Sequence, residues 1–132
     1  IGLSYYPLWH GKDLDALKTT ISNLVTTFNK PIFIAETAYP FTLGYNDWTN
    51  NVLGDASQII EDYPATESGQ LAFLQEIKSI MVGQTNGLGF CYWGGEWVSF
   101  RGDQATNGSS FENMALWNFS NTALDGITVF ND

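Results

Sequence analysis

Cysteine is almost missing from this chain: Cys91 stands alone, so no internal disulfide can form. Inside the apolar run Leu88 to Trp93 it reads as a small buried hydrophobe. Basic residues are scarce as well, with five Lys and Arg against fourteen Asp and Glu and a net charge of −9. So few cations argue against a nucleic-acid partner, because phosphates would go unneutralised. They argue equally against an anionic membrane surface, whereas a neutral sugar is indifferent to the charge. No apolar run is long enough to span a bilayer, so no membrane insertion is expected. Glycine-rich phosphate loops after a strand, internal repeats, low-complexity tracts and interdomain linkers are all lacking. An initiator Met and a polar lead-in are lacking too: Ile1-Gly2-Leu3-Ser4-Tyr5-Tyr6 reads as a start in mid-strand.

Aromatic residues, in contrast, are abundant. Five Trp, six Tyr and nine Phe in 132 residues exceed what one core of this size requires. Some of those rings are expected to line a surface that stacks on a ligand.

Along the chain, residues 1–6 read as a strand stopped by Pro7. Asp13 is a fitting N-cap for a helix over about 14–28, whose Leu14, Leu17, Ile21, Leu24, Val25 and Phe28 form one apolar stripe. Pro31 precedes a second strand at 32–36. Segment 37–65 reads as a long, ordered, functional loop. Thr66 caps a helix over about 67–82 that buries Leu71, Leu74, Ile77 and Met81. Gly83 and Asn86-Gly87 then lead into a third strand, Leu88 to Trp93. Residues 94–112 form another loop, and 114–119 and 127–130 are short apolar pieces that pack back on the body. The β-α-β-α-β order fits either a small doubly wound sheet or a piece of a (β/α)8 barrel. The missing phosphate loop and the polar or aromatic strand ends favour the barrel. Residues 1–132 form a single segment.

Pro31-Ile-Phe-Ile-Ala-Glu-Thr-Ala-Tyr-Pro40 is the most telling stretch. Ile32 to Ala35 is an unbroken apolar run, as in a parallel strand buried on both faces. It ends in Glu36, a carboxylate too costly to bury unpaired, and therefore expected at a strand end facing a polar cleft. Catalytic groups gather at the carboxyl ends of parallel strands.

Four signals in order give the chain a relative. They are Ile1-Gly-Leu-Ser-Tyr-Tyr-Pro7 with Trp9-His10, Glu36-Thr-Ala-Tyr-Pro40, Gly87-Leu-Gly-Phe-Cys-Tyr-Trp93, and a weaker Gly108-Ser-Ser110 leading to Asn113. Together they resemble the C-terminal part of the family 53 glycoside hydrolases, the endo-β-1,4-galactanases acting on arabinogalactan. The resemblance implies an α/β fold, the C-terminal portion (strands six to eight) of a (β/α)8 barrel. It implies retaining hydrolysis of β-1,4-galactosidic links in galactan or arabinogalactan oligosaccharides, with no cofactor required. The remaining N-terminal barrel segment is the implied partner. Because galactan is an external polymer, the implied location is extracellular, cell-surface or periplasmic.

Retention requires two carboxyl groups about 5–5.5 Å apart. The resemblance places the nucleophile on Glu36 and the acid/base on a fourth strand outside these residues. A tyrosine ending the neighbouring strand would hold the nucleophile. Period alone leaves Tyr5 and Tyr6 both open, and the reading here leans to Tyr6. Trp93 corresponds to the tryptophan that floors the sugar site, against the alternative of a buried core ring. Here the family's Tyr-Trp-Glu-Pro-Ala-Trp is Tyr92-Trp-Gly-Gly-Glu-Trp97, which puts in doubt any contact of the missing glutamate. Trp97, Tyr39 and Trp48 are further candidate sugar contacts. His10 is set between substrate contact and ordinary surface packing. Some family members hold a structural calcium, and Asp47, Asn51, Asp55, Ser109 and Glu112 are oxygen-bearing loop residues. The ligand spacing of those members is absent from 41–55, so solvated loop polar groups are expected instead. The rival functions are a non-catalytic galactan-binding remnant and a barrel glycosidase acting on another β-glycan.

Overall fold

A computed structural model describes residues 1–131. Its elements run β1 (Gly2–Ser4), α1 (Pro7–His10), α2 (Leu14–Phe28), β2 (Ile32–Thr37), α3 (Glu67–Val82) and β3 (Gly87–Tyr92). Short 3-10 segments lie at Ala56–Gln58, Glu112–Met114 and Asp125–Phe130. The helices start where their caps dictate. The Ala16 amide donates to Asp13 Oδ1 at 3.0 Å, and the Gly69 amide donates to Thr66 Oγ1 at 3.0 Å. Asn29, in the left-handed region at φ 46°, ends α2.

The three strands form one sheet in the order β1-β2-β3, and every pairing is parallel. Parallel neighbours need crossovers, which α2 and α3 supply. Ile32 and Ile34 of β2 join Ile21 of α2 and Phe73, Leu74, Ile77 and Met81 of α3 in one fully buried core. The 3-10 turn at 125–130 closes over α3, where Lys78 Nζ donates to the Val129 and Asn131 carbonyls at 2.8 and 3.0 Å.

Three expectations change. Pro7 does more than stop a strand: it opens α1 from the first helical position, where its missing N–H costs nothing. Phe28 is 55% exposed, so the α2 stripe is buried only at Leu17 and Ile21 and partly covered elsewhere. Cys91 is exposed rather than buried: β3 is an edge strand of this sheet, and its Cys91 and Leu88 side chains lie on the surface. β2 itself buries Ile32 and Ile34 completely but leaves Phe33 and Ala35 half-covered. The helices lie on the isoleucine side only. Among the described residues, no helix is long and apolar enough to cross a membrane.

Candidate active site

Strand alternation alone would bury Glu36. Residues two apart share a face, so a strand that buries Ile32 and Ile34 should send residue 36 the same way. The register shows why it does not. Leu3 pairs with Ile34 but Ser4 with Glu36, and Ile34 pairs with Phe90 but Thr37 with Tyr92. Both neighbours skip one residue of β2 at 35–36, a bulge that slips the phase of the strand. Thr37 takes the fully buried place, while Glu36 stays half-exposed on the open side.

Glu36 there faces a concavity of about 210 Å³ lined by Tyr6, Trp9, Val52, Leu53, Trp93, Phe111 and Met114, among others. The Tyr6 hydroxyl donates to Glu36 Oε2 at 3.0 Å. Burial, then the hydrogen bond and the charge of Glu36, raise the Tyr6 phenol well above its ordinary value. The phenol therefore keeps its proton and remains a donor to the carboxylate. Trp93 follows β3 directly. Its amide donates to the Thr37 carbonyl at 2.9 Å, and its half-buried ring sits edge-on to Phe111 at 4.7 Å.

The other expected residues fall elsewhere. Tyr5 points to the opposite side of the chain from Tyr6, as consecutive extended residues do. It is buried, its hydroxyl donates to the Gly11 carbonyl at 2.9 Å, and burial pushes its phenol up to about 12. Tyr39 is a core pillar rather than a sugar platform. It is fully buried, stacked on Phe73 at 4.1 Å, and its hydroxyl donates to the Tyr63 carbonyl at 2.7 Å. Trp97 stands behind Trp93, 4.9 Å between ring centres, and lines a separate hollow with Phe100 and Ser109. Trp48 is exposed and outside the cleft lining. His10 is exposed and turned to a neighbouring hollow, where its Nδ1 accepts from the Tyr6 amide at 3.0 Å.

The loop oxygens proposed for calcium are mostly not solvated: Asp47, Asn51, Ser109 and Glu112 are buried. Their lone pairs are largely committed. Glu112 Oε1 accepts from the Asn46 amide at 2.6 Å, Asp47 Oδ1 accepts from the Thr49 amide at 2.6 Å, and Asp47 Oδ2 accepts from Ser99 Oγ at 3.2 Å. Ser109 Oγ donates to the Trp97 carbonyl, and exposed Asp55 caps the turn at 56–58. Only Glu112 Oε2 and Asn51 Oδ1 of this set are buried acceptors without a partner. This set thus offers two unpartnered buried oxygens against the six to eight that Ca²⁺ takes. Among the described residues no group of three or more His, Cys, Asp or Glu is arranged to hold a metal. The seam instead closes directly: Gly108 lies so near Asp47 Oδ2 and Thr49 that a Cβ there would collide. Burial, followed by the neighbouring Asp47, raises the Glu112 carboxyl above its ordinary value against the pull of the Asn46 amide.

A second fastening lies behind Trp93. The Tyr92 hydroxyl donates to the Met114 carbonyl at 2.7 Å and accepts from the Tyr39 amide at 3.1 Å. Buried Gln70 Nε2 bonds the Tyr39 and Ala115 carbonyls at 2.9 and 3.1 Å. Sequence reading missed this pair, together with the cleft walls Val52, Leu53, Phe111 and Met114. Only the Pro at the first helical position signalled α1, which carries Trp9 to the cleft rim.

Three parallel strands joined by helical crossovers, with a carboxylate and clustered aromatic rings at their carboxyl ends, fit the architecture of the barrel glycoside hydrolases. The sequence pattern of glycosyl hydrolase family 53 matches residues 1–130, and the chain belongs to that family. The arabinogalactan endo-β-1,4-galactanase of Cellvibrio japonicus is 38% identical, over 98% of this chain and 35% of its own length. Arabinogalactan endo-β-1,4-galactanase A of Aspergillus niger is 31% identical, over 100% of this chain and 35% of its own length. The GH53 catalytic domain of Ignisphaera aggregans superposes with a TM-score of 0.89 at 33% identity, covering 99% of this chain and 38% of that one. The chain spans about a third of the length of the curated relatives it matches. Its fold is thus part of a (β/α)8 barrel.

Proposed function

We propose that the protein is a retaining endo-β-1,4-galactanase in which Glu36 is the nucleophile and the acid/base lies outside these residues. The observation that carries this reading is the Tyr6 hydroxyl 3.0 Å from Glu36 Oε2, at the wall of a ring-lined concavity shared with Trp93. Family membership and the galactanase names of the relatives support the substrate.

In the first step a Glu36 oxygen attacks the anomeric carbon of a galactosyl unit. The glycosidic C–O bond breaks as the leaving oxygen takes a proton from the partner carboxylic acid. Tyr6 engages Oε2, which leaves Oε1 for the attack. In the second step water gives its proton to the partner carboxylate and displaces Glu36 from the sugar, so two inversions give net retention. Trp93 offers an aromatic face to the C–H side of the galactose ring. The N-terminal part of the barrel supplies the second carboxyl group, and no step runs through a metal. A polymeric external substrate places the enzyme outside the cytoplasm, in the medium, on the surface or in the periplasm.

The test is Glu36→Ala in the full-length protein, assayed on galactan. Turnover should fall by about 10⁴-fold or more, as when a covalent nucleophile is lost, while galactan binding persists. Added azide should then yield the α-galactosyl azide. Undiminished hydrolysis by the variant overturns the assignment.

A further inference from the structure

We propose that His10 is a positioning residue, whose neutral imidazole clamps the Tyr6 backbone and so holds the Tyr6 hydroxyl on Glu36. The inference rests on the reading of Glu36 as nucleophile and assigns His10 a task other than substrate contact.

The argument begins with how α1 starts. The first amides of a helix lack intrahelical partners, and the N-cap residue ordinarily satisfies one with its own short side chain. Tyr6 is the N-cap of α1, at φ −131° and ψ 120°, and makes no side-chain cap. Its side chain is spent elsewhere, on Glu36. His10 closes the turn from the other end. Its Nδ1 accepts from the Tyr6 amide at 3.0 Å, while its own amide donates to the Tyr6 carbonyl at 2.9 Å. This is the reach of a capping box, in which a later side chain returns to the N-cap amide, here made by an imidazole. Both backbone polar groups of Tyr6 are thus gripped by one residue.

A helix of one turn has almost no cooperativity of its own. α1 is four residues long and ends at Gly11, where φ is 95°. Its geometry therefore depends on such contacts. The Tyr6 ring is braced by Trp9, edge-on at 5.1 Å, and tilts toward His10 at 6.2 Å. Among the described residues no other group accepts from the Tyr6 amide, and a shift of about 1 Å in a catalytic group costs as much as 100-fold in rate.

The chemistry also dictates a tautomer. An accepting Nδ1 carries no proton, so the neutral ring bears its proton on Nε2. An imidazolium would set N–H against N–H and release the clamp. The titratable groups around His10 are Asp13, from the turn before α2 and bound to the Ala16 amide, and the phenols of Tyr5 and Tyr6.

The test uses the full-length protein and galactan. His10→Ala should lower kcat by about tenfold or more, with KM changed less than about twofold. His10→Asn places an amide oxygen where Nδ1 stood and does not titrate. It should restore kcat to within about threefold of the wild type. In a Tyr6→Phe background, His10→Ala should cost little more, since the clamp would have nothing left to position. A raised KM with kcat intact, equal failure of Asn and Ala, or full additivity with Tyr6→Phe each overturns the proposal. In the wild type, the Tyr6 amide should be protected from hydrogen exchange, and that protection should fall in His10→Ala and return in His10→Asn. A protein that shows this coupling but leaves galactan uncut overturns the substrate reading and supports the clamp. A Tyr6 amide whose exchange is unchanged by His10→Ala overturns the clamp itself.

Discussion

Glu36 and Glu112 both sit on the loop side of the same sheet, yet their surroundings treat them in opposite ways. Glu112 is buried, binds the backbone amide of Asn46 and faces Asp47 across the seam between segments 44–53 and 97–113. Glu36 is half-exposed beside a concavity and receives one phenolic donor. Fixed amides and burial spend a carboxylate on stitching two loops together. A single side-chain donor and an open face leave one free to react.

The comparison breaks most sharply by exchanging each carboxylate for its amide. Glu36→Gln should cost about 10⁴-fold in kcat without moving the unfolding midpoint, whereas Glu112→Gln should keep most of the turnover. Comparable kcat losses in the two variants would erase the distinction. Next in size, Tyr6→Phe removes the one side-chain donor that the described residues give Glu36. A kcat lower by about 10- to 100-fold with little change in KM is expected, and an unchanged kcat would remove Tyr6 from the mechanism.

On stability the order reverses. Glu112→Ala leaves a buried amide unpaired and should cost about 1–3 kcal/mol, read from a denaturant midpoint, while Glu36→Ala should cost far less. The Glu112 carboxyl is raised in the fold from 4.5, so the native state binds its proton more tightly than the unfolded chain. Its contribution is complete below pH 4.5 and is lost as pH rises through the raised value. Glu112→Gln should flatten that acidic slope, and an identical slope would show that another group sets it.

The smallest effect lies at high pH. Tyr5 and Tyr39 are pushed up to about 12, chiefly by burial, from an unfolded value near 10. Stability should hold below pH 10 and fall as pH climbs towards 12. The Tyr5→Phe and Tyr39→Phe variants should each lose part of this fall in a pH series of thermal midpoints.

The elements proved legible where local chemistry sets them. Asp13 and Thr66 mark helix starts because a cap acts within three residues, and Glu36 announces a strand end because charge does not belong in an apolar run. The bulge at 35–36 was not legible: it arises from registers with two other strands, and alternation alone would have hidden Glu36. Tyr39 looked like a platform because the sequence cannot show that Phe73, 34 positions away, lies under its ring. The loop acids looked solvated for the same reason, since Glu112 finds its amide 66 residues earlier.

The knot at Tyr92 and Gln70 has an outcome for the segment that follows Trp93. Both ends of that excursion are pinned, at Tyr92 and at Met114, and Ser99 and the Ala105 carbonyl tie its flanks to Asp47, Trp48 and Thr49, which leaves a short handle between them. Residues 100–104, exposed between those ties, can lengthen, shorten or change character without tugging on the indole at the handle's root. That decouples the rim of the trough from its floor, and makes this stretch the place to graft new reach along a polysaccharide while leaving the reacting centre undisturbed.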